Sequence, residues 1–204
     1  MKRIILIFLL GSMINAYAQS SDKIKSIEEF QFQINADFKN PEESPLSAKD
    51  LKNFEGLEFF DIDTSFILTA QFVRTPAEAP FEMPTTTDRK PIYVKYGEVY
   101  FQLKAKTIKL NIYQNQELIK KPEYVDYLFL PFTDMTNGET TYSGGRYLDI
   151  RKPEGDSIIL DFNKAYNPYC AYNGKYSCPV PPSENHLADE IPVGVKAFSK
   201  NSKF

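Results

Sequence analysis

The chain has 204 residues, 24 Lys and Arg against 27 Asp and Glu, 42% hydrophobic residues and no Trp. A net charge of -3 gives no attraction to phosphate backbones, which sets nucleic acid aside as a partner. The composition is that of a globular protein, and the length is enough to bury one sizeable core.

Lys2-Arg3, the apolar run from Ile4 to Leu10, and Ala16-Tyr17-Ala18 before Gln19 have the charged start, short apolar region and small-residue site of a signal peptide. The expectation is a leader over residues 1–18, cleaved after Ala18, and an exported protein, periplasmic or extracellular, with one β-rich domain over 19–204. The apolar run is shorter than the roughly 20 residues of a spanning helix, so the mature chain is not expected to span a membrane. An uncleaved anchor is the alternative.

Ser26-Ile27-Glu28-Glu29 has the spacing of a capping box, and Ile27, Phe30, Ile34 and Phe38 fall on one helical face. That predicts a first helix, ended by Asn40-Pro41. Ser47 then caps a short second helix carrying Leu51 and Phe54, which Gly56 stops.

From Phe59 the apolar period changes to two, as half-buried strands require. Phe66, Leu68, Ala70 and Phe72 mark one strand. Ile92, Val94 and Tyr96 up to Gly97, then Val99, Phe101 and Leu103, then Ile108, Leu110 and Ile112, read as three antiparallel strands joined by tight turns. The runs 127–132, 147–150 and 157–162 add three more. No helix-length segments lie between them, so the fold class is mainly β, an antiparallel sandwich or barrel with two short N-terminal helices. Residues 74–91, with four prolines, read as a surface loop. Residues 163–192, with five prolines, read as a long irregular C-terminal arm over the sheet, made ordered by Tyr166, Tyr169, Tyr172 and Tyr176.

Short polar side chains concentrate in Thr133-Asp134-Met135-Thr136-Asn137-Gly138-Glu139-Thr140-Thr141-Tyr142-Ser143-Gly144-Gly145-Arg146-Tyr147-Leu148-Asp149 and in Leu160-Asp161-Phe162-Asn163. With Tyr166-Asn167-Pro168-Tyr169-Cys170-Ala171-Tyr172, Tyr176-Ser177-Cys178-Pro179 and Pro181-Pro182-Ser183-Glu184-Asn185, this resembles a family of bacterial and archaeal proteins known as a domain of unknown function. The similarity also takes in Asn40-Pro41, Ser44-Pro45-Leu46 and Phe54-Glu55-Gly56-Leu57. The resemblance implies no activity, substrate or cofactor, and it implies an apolar or aromatic residue at 186, against a catalytic role for His186.

On physical merits, Arg146 presents a planar fork suited to an anion, beside Gly144 and Gly145 that let backbone approach closely. The competing role is a pair with Asp134, Asp149 or Asp161 that fixes a loop. Asp134, Glu139, Asp149, Asp161 and Glu184 offer a carboxylate pair for acid/base chemistry, although Asp beside Gly and Thr also forms ordinary turns. His186 is the only imidazole, and no G-x-S-x-G turn presents a Ser, so nucleophilic catalysis has little support. Cys170 and Cys178 in an exported chain are compatible with a disulfide, with two buried thiols, or with metal ligation that lacks paired C-x-x-C spacing.

The function expected is a ligand-binding module for a small molecule, saccharide or peptide, with Asp134, Arg146, Asp161, Tyr166, Asn167 and Glu184 as the site. A disulfide between Cys170 and Cys178 is the expected state of the pair, and no metal or cofactor is expected. A metal-independent hydrolase using paired carboxylates is the alternative, and a structural or partner-binding protein the third.

Overall fold

The computed structural model describes residues 2–199, with side chains from residue 21 onward. The expected leader at 1–18 falls on residues whose side chains lie outside that description. The first helix, α1 (Lys2–Lys39), passes straight through Ser26, whose hydroxyl accepts from Lys164 Nζ at 2.7 Å instead of capping. The capping-box spacing therefore does not start this helix. No Gly or Pro lies between Gly11 and Pro41 to interrupt it. Pro41 ends it, and Asn40 turns the chain by accepting from the Glu42 N–H on its side chain and the Ser44 N–H on its carbonyl. Helix α2 (Ala48–Leu51) starts where expected, with Ser47 Oγ accepting from the Asp50 N–H at 3.1 Å. Among the described residues no helix is long and apolar enough to cross a membrane.

The rest is mainly β. Strands β1 (Ile67–Arg74), β2 (Phe81–Glu82), β3 (Ile92–Leu103), β4 (Lys106–Asn115), β5 (Tyr127–Phe132), β6 (Arg146–Arg151) and β7 (Ser157–Asp161) form one antiparallel sheet. Its order is β6-β5-β4-β3-β1-β7, with β2 lying along the start of β3. The sheet curls into a half-barrel. The chain leaving β7 turns at 162–164 and then pairs Tyr166 with Tyr147 of β6 through two main-chain hydrogen bonds, so the two sheet edges are linked by one short segment.

Gly97 is not a turn. It lies within β3, where the register with β4 slips between Lys95 and Gly97, and the apolar phase passes from even to odd positions. This is a β-bulge, and two expected strands are one bent strand. Glycine is needed there because a Cβ would stand 2.6 Å from the Phe72 ring and 2.7 Å from the Val73 carbonyl.

Alternation then sorts the side chains onto two faces. Ala70, Val99, Phe101, Leu110, Ile112, Leu128, Leu130, Leu148 and Leu160 fill the inner face. Leu187 and Ile191 of the arm, with Phe162 and Val193 at its two ends, plug it. A second cluster joins Phe38 of α1 to Tyr172 and Val195. The outer face carries Tyr93, Tyr113, Phe129 and Tyr147, with Met83 laid over them from the loop after β2.

Candidate binding site

The dense polar run between β5 and β6 folds into a buried knot. Asp134 Oδ1 accepts from the Thr136 N–H at 2.8 Å and its hydroxyl at 2.5 Å, while Oδ2 accepts from Arg146 Nη2 at 2.8 Å. Both partners of this ion pair are 0% exposed. Arg146 also donates to the carbonyls of Ile191 and Val193, which ties β6 to the arm. Burial lowers the Arg146 pKa and the Asp134 carboxylate opposes that shift, so the guanidinium depends on its partner. Gly145, at φ +87°, admits this geometry, since a Cβ would meet the Phe132 carbonyl at 2.6 Å.

The other residues expected at the site are placed apart from it. Asp161 caps the 162–164 turn, accepting from the Asn163 N–H at 3.1 Å. Asn167 is buried and donates to the Lys196 carbonyl at 2.8 Å. Glu184 is exposed, and its contact is with Ser183 at 3.3 Å. His186 is exposed beside Thr133, with Oγ1 to Nδ1 at 3.0 Å. Tyr166 alone faces a different environment. These side chains do not meet in one pocket.

Tyr166 instead helps to build a site on the outer face. Its hydroxyl donates to Asp149 Oδ1 at 2.6 Å, and the Tyr127 hydroxyl donates to the same oxygen at 2.7 Å. The strands impose this convergence. Asp149 lies two residues along β6 from Tyr147, on the same face, and opposite Phe129 of β5. Tyr127 is two residues before Phe129, and Tyr166 is paired with Tyr147. The rings pack edge to face, Phe129 on Tyr147 at 4.7 Å and Tyr147 on Tyr166 at 5.8 Å, which fixes the cup in place.

Asp149 keeps an exposed surface within this aromatic cup. Among the described residues no protein donor reaches its Oδ2. Packing against the rings raises its pKa above the ordinary carboxylate value, although Tyr166, Tyr127 and Arg151 all favour the anion. Glu98, on the same face, shows the contrast. The hydrogen bond from Tyr100 at 2.5 Å, helped by Lys95 and Lys109, holds its carboxyl below the usual value. An exposed carboxylate whose pKa is raised by its surroundings is a candidate for recognition, while the lowered one is an ordinary surface ion pair. Burial first, and the Asp149 charge second, push the Tyr127 and Tyr166 phenols up, so both hydroxyls stay protonated as donors.

Tyr127, Tyr147 and Asp149 are not among the residues expected at the site. Asp149 was visible only as one carboxylate among several, because its tyrosine partners come from two other segments. A depression of about 440 Å³ lined by Thr75, Pro76, Ala77 and Glu78 offers less chemistry, since Lys95 engages Glu78 at 2.6 Å.

Cys170 and Cys178 are both thiols in the structure and stand side by side, the Cys170 N–H donating to Cys178 Sγ at 3.1 Å.

The family described as "Protein of unknown function (DUF1684)" matches residues 52–196. The solution NMR structure of an uncharacterized protein from Haloarcula marismortui is similar, with a TM-score of 0.69 and 28% identity over 88% of this chain and 96% of that one. No curated protein matches the chain.

Proposed function

Because the chain belongs to the DUF1684 family, whose description states no activity, we propose a function from the cup itself: a binding module for a small hydroxyl-bearing ligand, a saccharide first, held at Asp149. The observation that carries this reading is the Asp149 carboxylate, with two phenols spent on one oxygen and the other oxygen without a protein donor. A sugar hydroxyl donates to such an oxygen, and the half-buried rings of Tyr127 and Tyr166 beside it offer apolar surface that a sugar ring can pack against. Of the residues expected from the sequence, Tyr166 serves in this role, while Arg146, Asp134, Asp161 and Asn167 support the scaffold. The hydrogen-bond partners of Asp149 are two phenols, with the Arg151 charge acting from a distance, which favours binding over a hydrolase that needs two carboxylates.

The reading includes export with cleavage after Ala18, which the mass of the mature N-terminus tests. It also takes the half-barrel as a barrel scaffold whose seam is held by the Tyr147 and Tyr166 pairing. The binding test is thermal stabilisation by a panel of neutral monosaccharides and disaccharides. A member that raises the melting temperature of the wild type and leaves Asp149→Ala unmoved supports the site. A panel without effect, or one that shifts both proteins equally, removes the saccharide reading.

A further inference from the structure

Cys170 and Cys178 lie on two limbs of the arm that meet beside the Thr85 to Thr87 loop, and their surroundings differ. Cys178 is 6% exposed, and Thr86 clamps its main chain in both directions, accepting from its N–H at 3.1 Å and donating to its carbonyl at 2.9 Å. Cys170 is half-buried in the single turn 169–171, with its Sγ 3.7 Å from the Tyr142 hydroxyl and in hydrogen-bond contact with Cys178. One thiol is thus reachable, and the other is held directly behind it. We propose that Cys170 and Cys178 are a redox-active dithiol, with Cys170 the attacking thiol and Cys178 the resolving one.

The oxidant class is a small disulfide. Cys170 Sγ, as thiolate, attacks one sulfur of it; a mixed disulfide forms, and the other half leaves as a thiolate that takes a proton from water. Cys178 then gives up its proton and attacks Cys170 Sγ, forming the intramolecular bond and releasing the second small thiol. The protein pair loses two electrons, and the oxidant is recovered as two thiols. The hydrogen bond from Cys178, with a further one from Tyr142, holds the Cys170 pKa down to about 6, so its thiolate predominates at neutral pH. The same shared proton, and burial, push Cys178 up, as a resolving thiol that waits protonated requires. The bond would form next to Pro179, whose carbonyl accepts from the Tyr147 hydroxyl, so the redox state bears on a wall of the Asp149 cup.

The test uses the folded protein, reduced with dithiothreitol, desalted, and given glutathione disulfide, with intact mass as readout. The wild type is expected to lose two hydrogens and carry no glutathione, Cys178→Ser to gain one glutathionyl group, and Cys170→Ser to stay unmodified. In the reduced wild type, iodoacetamide is expected to label Cys170 roughly tenfold or more faster than Cys178, with a pH midpoint near the Cys170 value. This second readout needs no variant to fold. Equal labelling rates, glutathionylation at Cys178 in Cys170→Ser, or a native bond that dithiothreitol opens only on unfolding would each overturn the proposal, the last by making the bond a structural staple.

Discussion

Two charged residues on β6, three positions apart, meet opposite fates. Arg146 points to the inner side and is completely enclosed, its charge answered by Asp134 and two main-chain carbonyls. Asp149 points outward and is answered by two phenols, yet its surroundings still disfavour its charge. The sign of the pH effect follows from that. The folded state holds the Asp149 proton at pH values where the unfolded chain, with an ordinary carboxyl near 4, has lost it. Its contribution to stability is therefore largest below about pH 4 and declines as pH rises towards the raised folded value. Asp149→Asn, which does not titrate, is expected to gain melting temperature relative to the wild type as pH goes from 4 to 8. A wild type that gains melting temperature relative to Asp149→Asn over that range would contradict the raised carboxyl.

At the scale of elements, asparagine side chains do the work of missing strands. β4 and β5 share the register pair Tyr113 with Phe129 and then part. Asn185 fills the gap between them, accepting from the Asn111 N–H at 2.8 Å and donating to the Asn111 and Pro131 carbonyls at 2.8 and 2.7 Å. Asn163 does the same for Asp63, with bonds of 2.9 and 3.0 Å. An amide carries one acceptor and two donors, so it can stand in for a peptide unit at a place where proline cannot donate. Asn185→Ala would leave three buried main-chain groups without partners, a cost of about 3 kcal/mol or more at about 1 to 3 kcal/mol each. Urea denaturation reads this directly, and a loss under about 1 kcal/mol would show that water takes the place of the amide.

At the scale of the whole molecule, the half-barrel separates a plugged inner face from an outer face that carries the cup. Period-two alternation made the strands of this sheet legible, because apolar residues on one face are what a plugged sheet demands. Gly97 misled for a physical reason. A phase change at a glycine has the same appearance in sequence whether the chain reverses or bulges, and only the pairing with β4 decides. The capping box misled because Ser-x-x-Glu spacing has no force inside an unbroken helix. Tyr166 could be singled out beforehand, but the cup could not, since it depends on the β5 and β6 register and on Tyr147 pairing across the seam. The dense motif of Asp134 to Arg146 drew attention through its polarity, and that polarity serves a buried knot.

This knot is scaffold, whereas the proposed recognition role of Asp149 implies a carboxylate held at a cost to the fold. Urea denaturation of Arg146→Ala and Asp149→Asn side by side at pH 7 tests it most directly. Arg146→Ala is expected to lose about 3 to 5 kcal/mol, because it strands the buried Asp134 charge. Asp149→Asn is expected to match the wild type within about 0.5 kcal/mol or exceed it. An Arg146→Ala variant as stable as the wild type, together with an Asp149→Asn variant that unfolds, would exchange the two roles and contradict the account.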